Sequence, residues 1–187
     1  MARQFPAFEP EHLDFIAAQP VFFVATTAPG ARINLSPKGM DSLRVTAPDR
    51  LVWLNLTGSG NETAAHLRLD DRMTVMWCSF GPRPLILRAC GRARLVYPGD
   101  PGAAALFDLL PAQPGARQAV QLAVDLVQSS CGYGVPQARD MAERPTLRHW
   151  AEEARGEDGL RAYRAEKNRR SLDGLPTGLD ADRDRPS

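Results

Sequence analysis

Arg32, Asn34, Ser36 and Lys38 recur at alternate positions of the segment RINLSPK, residues 32–38. Side chains alternate across a strand, so this spacing puts all four on one face. Two cations interleaved with two short polar groups suit the edge of a flat, polar, anionic ligand. A solvated strand face explains the same pattern. A second segment carries related chemistry. Gly58–Thr63, GSGNET, follows the apolar run LVWLNL (51–56) and precedes AAHLRL (64–69), which reads as helix. Glycine lets backbone N–H groups turn towards one point. A helix start adds unpaired donors and a partial positive charge. Together these form a seat for a phosphate. Ser, Asn and Thr are also good caps, so the loop read alone is an ordinary helix start.

The remaining reactive residue types form no competing pattern. Cys78, Cys90 and Cys131 are an odd set without metal-ligand spacing, which speaks against a disulfide framework or a zinc site. Cys131, in the glycine-rich loop CGYGVP (131–136), is expected to be structural and buried, because no neighbouring base is placed beside it. Two glycines around Tyr133 leave its ring free to lie against a flat partner. His12 and His149 fall on polar helices, and His66 lies at helical spacing where it caps or packs. Trp53 and Trp77 read as core. No metal site is expected.

These residues need elements to hold them. The 187 residues suffice for one domain with a sizeable core, and the apolar fraction of 43% is that of a soluble globular protein. A net charge of +1 gives no general attraction to nucleic acid or membrane. The start of the chain lacks a signal-peptide core, and no apolar run spans a bilayer, so a cytoplasmic protein is expected. A helix is predicted over 9–19, ended by Pro20. Strands are predicted over 21–27, 32–36, 42–47, 51–57, 72–80 and 85–97, with Gly91 marking a bulge or close approach. A helix follows at 101–110. Val120, Leu122, Val124 and Leu126 fall at period two, giving a last strand over 120–126. Helices are predicted over 146–155 and 159–170, and a frayed end over 179–187. Strands this closely spaced predict an antiparallel barrel. The expected organisation is a single domain over 1–187, with a core at about 10–136 and a helical tail at about 137–178.

Four segments in this order, RINLSPKG (32–39), LVWLNLT (51–57), NETAAHL (61–67) and PLILRACGRA (84–93), resemble the flavin-binding split-barrel proteins of the pyridoxamine 5′-phosphate oxidase-like superfamily. The resemblance covers residues 10–97 or so. It implies a mainly β (α+β) fold, a six-stranded antiparallel split barrel with flanking helices and a helical C-terminal tail. It also implies a homodimer with FMN at the interface and a small-molecule substrate or electron donor, with no nucleic-acid or membrane partner. The expected cofactor contacts are Arg32, Ile33, Asn34, Leu35, Ser36 and Lys38 along the strand, Asn55, Asn61 and Thr63 around the loop, and Arg88 on the long strand. Family members typically carry Ser, Arg and Lys in the phosphate loop. Here Asn61, Glu62 and Thr63 stand there, so the loop has lost its cations and gained a carboxylate. Glu62 would repel a phosphate and is expected to point away. Neutralisation then falls to Lys38, Arg32 or Arg88. The Arg-x-His substrate motif of the true oxidases is absent from the tail. FMN-dependent oxidoreductase activity is the leading expectation. A flavin or haem carrier without turnover, or a deazaflavin-dependent reductase, remains open.

Overall fold

The computed structural model describes residues 2–179. Among these, eight strands form one antiparallel sheet: β1 (Arg3–Phe5), β2 (Phe22–Thr26), β3 (Asn34–Lys38), β4 (Leu43–Ala47), β5 (Arg50–Leu56), β6 (Arg72–Cys78), β7 (Ile86–Val96) and β8 (Ala116–Ser130). Strand order is β3-β2-β6-β7-β8-β5-β4, with β1 paired to β8. The resemblance implies six strands and the sequence pattern seven, whereas the structure has eight. The extra β1 is three residues long, too short to show a period, and β8 runs far beyond the expected 120–126.

Apolar side chains from both halves of this order meet in one core. Val24 of β2, Trp53 of β5, Trp77 of β6, Leu87 of β7 and Leu122 of β8 all belong to it. Phe22 packs edge-on against Trp53 with ring centroids 6.1 Å apart, although β2 and β5 are not sheet neighbours. The sheet is therefore rolled into a barrel. It is split between its edge strands β3 and β4, which are joined only by residues 39–42. β5 is buried on both faces. Leu51 and Trp53 face the barrel core, while Val52 and Leu54 meet a second cluster with Ala103 and Leu110.

Helices close the barrel ends. α1 (Pro10–Ala17) lies against the core through Ile16, and α2 (Glu62–Leu67) packs on β2 and β7. α3 spans Ala103–Phe107, α4 spans Thr146–His149, and a π-helical stretch, Trp150–Arg155, leads into α5 (Gly156–Lys167). His12 is not on a polar surface. It is buried in α1, where its Nδ1 accepts the Glu9 backbone N–H at 3.0 Å. After α5 the chain forms an arm, residues 168–179. Leu179, expected to be frayed, is buried within it, and residues 180–187 lie outside the described residues. No helix among the described residues is long and apolar enough to cross a membrane.

Gly91 sits opposite a bulge. Cys90 pairs with Leu126 but Gly91 pairs with Val124, so Asp125 is the extra residue. A Cβ at Gly91 would meet the Ala123 carbonyl oxygen at 1.9 Å. The extra residue also changes which β8 side chains face inward. Val124 and Val127 are both buried, and Leu126, expected to be a core residue, is only half-buried. Gly91→Ala is expected to cost about 1–3 kcal/mol by overpacking. Urea unfolding checks this, with a lower midpoint and an unchanged slope as the expected result.

Candidate functional site

The face of β3 carrying Asn34, Ser36 and Lys38 turns into the split. Ser36 pairs with Val24, a core residue, so the even-numbered side chains point inward. Ile33 and Leu35 therefore point the other way, and they are 78% and 64% exposed. The alternating row is real, and Ile33 and Leu35 are not part of its polar face.

Asn34 ties the row to α2. Its Nδ2 donates to Thr26 Oγ1 at 3.1 Å and to Thr63 Oγ1 at 3.2 Å. Thr26 Oγ1 lies 3.1 Å from His66 Nδ1. On the other side of the ring, His66 Nε2 is buried without a hydrogen-bond partner among the described residues.

Lys38 reaches across the split. Its Nζ lies 5.3 Å from the Trp53 ring centre, a cation–π contact. Among the described residues no carboxylate stands at ion-pair distance from it. Burial, and next the nearby Arg117 guanidinium, lower its pKa from 10.5 to about 8. The Trp53 face favours the charged form, but loss of water outweighs it.

The glycine loop is woven into a buried polar network. Asn61 Oδ1 accepts from Asn55 Nδ2 at 3.2 Å and from Gln118 Nε2 at 2.9 Å. Asn61 Nδ2 donates to the Asn168 carbonyl at 3.5 Å. Arg117, at the start of β8, donates to Asn55 Oδ1 at 3.3 Å, to the Gly60 carbonyl at 3.1 Å and to Asn168 Oδ1 at 2.6 Å. Arg164 of α5 donates through Nε to Thr57 Oγ1 at 2.8 Å. The Thr57 hydroxyl donates to the Gly115 carbonyl at 2.7 Å.

The structure thus joins Asn34 to Thr63 and Asn55 to Asn61, and brings Lys38 within electrostatic reach of Arg117. Arg32 is drawn to the arm. Its guanidinium is ion-paired with Asp173, and its backbone N–H donates to the same carboxylate at 2.8 Å. Arg88 stays apart. It alternates with the core residues Leu87 and Ala89, so it stands on the outer face, donating to Ser130 Oγ at 3.4 Å. Glu62 turns to the arm, where both carboxylate oxygens accept the Leu172 backbone N–H at 3.0 and 3.1 Å. Cys131 is exposed rather than buried, and Tyr133 is largely exposed.

Thr26, His66, Arg117, Gln118 and Asn168 were not anticipated. Arg117 and Gln118 lie just ahead of the strand expected from Val120, and extending that strand by one turn of its period would have exposed them. Nothing local marks Asn168, whose side-chain partners, Arg117 and Gly58, lie 51 and 110 residues away.

Comparison with known proteins accords with this geometry. The family model for pyridoxamine 5′-phosphate oxidase matches residues 8–131. The chain is 37% identical over 191 residues to the pyridoxamine 5′-phosphate oxidase family protein ustO of Aspergillus flavus, covering 92% of this chain and 76% of that protein. A Lactobacillus delbrueckii protein of known structure, classed with the pyridoxamine 5′-phosphate oxidases, superposes with a TM-score of 0.52 at 20% identity. That match covers 66% of this chain and 94% of the other. HupZ of Group A Streptococcus gives a TM-score of 0.50 at 19% identity, over 64% of this chain and 91% of its own. The chain belongs to the pyridoxamine 5′-phosphate oxidase family, and its fold is that of the split barrels.

The depressed pKa of Lys38 makes a signed prediction. The unfolded lysine keeps its proton up to 10.5 and the folded one releases it at about 8. Between these values the unfolded state binds more protons, so stability at this position rises with pH. In urea unfolding, Lys38→Met is expected to remove that rise between pH 8 and pH 10.5, measured as wild type minus variant.

Proposed function

We propose that the split between β3 and β4 holds FMN and that the protein is a flavin-dependent oxidoreductase. The observation that supports this most strongly is Lys38. A lysine stripped of water, resting on an indole face and lacking a carboxylate partner among the described residues, suits an anionic ligand. Arg117 adds a second cation beside it. The flavin, when bound, supplies the exchange of electrons or hydride, and the protein supplies binding and orientation.

The residues present fit such a group in part. Lys38 and Ser36 line the polar side of β3, and Arg32 stands at its start. Asn61 and Thr63 serve differently than the family pattern implies. Thr63 Oγ1 accepts from Asn34, and Asn61 is spent on Asn55, Gln118 and Asn168. Both shape the loop, while positive charge comes from Lys38 at one end of the row and Arg32 at the other. Arg88, on the outer face, has no part in this seat.

We further propose a homodimer. Ile33 and Leu35 form an exposed apolar stripe on edge strand β3, and half-buried Phe23 and Met76 continue it along the outer face. Exposed apolar surface of this kind marks contact sites. A second copy seated there covers an otherwise open strand edge.

Purified protein is expected to carry, or take up, FMN with the visible absorbance of an oxidised flavin, and to be bleached by NAD(P)H. Failure to take up added FMN overturns the flavin reading, and flavin that no reductant bleaches overturns turnover. Lys38→Ala is expected to weaken FMN binding by about 1.5–3 kcal/mol, the scale of one hydrogen bond to a charged group. Wild-type affinity is expected to fall as pH rises through about 8, where Lys38 loses its charge. Sedimentation equilibrium tests the dimer, and a monomer at micromolar concentration refutes it.

A further inference from the structure

The arm that follows α5 crosses the residues assigned above to the cofactor. Its base and its tip are held by different forces. At the base Asn168 is fully buried. Its Nδ2 donates to the Gly58 carbonyl at 2.9 Å, and its Oδ1 accepts from Arg117. Its carbonyl accepts from Thr177 Oγ1 at 2.7 Å and from Asn61. Thr177 is equally buried, and its carbonyl accepts the Tyr97 hydroxyl at 3.3 Å. The chain between them folds back on itself. Arg170 bridges Pro176, and the Gly174 N–H donates to the Ser171 carbonyl at 2.9 Å, closing a turn over Ser171–Gly174. Gly174 has φ +78°, which suits glycine at that corner.

Beyond buried Ser171, the tip has no such anchorage. The Leu172 side chain is 77% exposed and contributes nothing to a core. Two polar contacts fasten the tip: Leu172 N–H to the Glu62 carboxylate, and the Asp173 carboxylate to Arg32. Arg32 is itself largely exposed, and ion pairs at such sites are weak. The Arg32 backbone N–H, ahead of its guanidinium, holds the Asp173 carboxyl below the usual carboxylate range, so it is an anion at neutral pH.

We propose that residues 171–174 form a built-in competitor for the cofactor, with the Asp173 carboxylate occupying Arg32 in place of a ligand phosphate. This rests on the flavin reading given above. Glu62 then has a function, as the receptor that parks the tip on α2. A phosphate carries up to twice the charge of a carboxylate and offers three acceptor oxygens, so it displaces Asp173 from Arg32. The tip lifts, while the base at Asn168 and Thr177 stays in place.

Titration of FMN by its fluorescence into the full-length protein tests this. Asp173→Asn removes the competing charge. Leu172→Pro removes the N–H that Glu62 accepts, changes no charge, and places proline at the second position of the turn, where its fixed φ is favoured. Each variant is expected to tighten the FMN dissociation constant by about two- to fivefold, the scale of one exposed polar contact, and the double variant by roughly their product. Amide exchange supplies a readout independent of affinity. In wild type, FMN is expected to speed exchange at Leu172 while Asn168 and Thr177 stay protected. Folded variants that bind FMN no more tightly than wild type, or protection of Leu172 that increases with FMN, overturn the competitor. FMN uptake by no form overturns the flavin reading and the competitor with it. Uptake that ignores both variants overturns the competitor alone.

Discussion

Four residues, 39–42, force the architecture. They join β3 to β4, which stand at opposite ends of the strand order. A chain spans at most about 3.3–3.6 Å per residue. A flat sheet with five strands between these two would set them further apart than four residues reach. The sheet must roll until its edges meet, and the meeting line is the split. The link is bent and pinned accordingly. Met40 and Asp41 adopt left-handed φ angles of 60° and 52°, and the Ser42 carbonyl accepts the Leu54 N–H at 2.8 Å. Asp41 tolerates that conformation better than most residues, and its carboxylate is held by Arg44. Lys38 precedes the link, which is why it meets Trp53 on a strand five places away in the sheet.

The closed barrel buries a polar seam. Asn55, Asn61, Arg117, Gln118 and Asn168 share their hydrogen bonds within it. Buried polar groups are costly unless paired, so a seam of this kind fixes its members' geometry. The charges are arranged unevenly around it. Lys38 and Arg117 lie close enough for their charges to oppose one another, and the carboxylates of Glu62 and Asp173 are engaged in the contact with the arm. The glycine loop itself orients groups and does not supply charge.

The sequence makes the barrel legible because its strands alternate cleanly and its turns carry glycine and proline. It also makes the Asn34, Ser36, Lys38 row legible, since parity alone decides which face they share. The same parity argument misleads at two places. Ile33 and Leu35 alternate with the row and so face away from it, and Asp125 inserts one residue that reverses the parity of β8 beyond Val124. Arg88 stands on the outer face, because its neighbours Leu87 and Ala89 take the inner one. The arm is not legible at all. Asn168, Leu172 and Asp173 look like the polar residue after a helix and a loop, and their contacts with Gly58, Glu62 and Arg32 are made at separations of 110 to 141 residues. Glu62 is the clearest case. As a first-turn acid it reads as a helix-favouring charge, whereas its carboxylate is spent on a backbone N–H at the far end of the chain.

The position of the arm in the chain also orders events in time. β8 ends at Ser130, and the residues that cross the split come about forty positions later. At synthesis rates of about 5–20 residues per second, the ribosome needs several seconds to make the intervening chain. Every strand of the barrel is therefore translated before the segment that crosses its groove. A small molecule present at that moment meets Lys38 and Arg32 ahead of Asp173, whereas one arriving later must displace a carboxylate already in place. On the flavin reading proposed above, loading during translation and loading of the finished protein would be two kinetically distinct processes, set apart by nothing more than the order in which the chain is made.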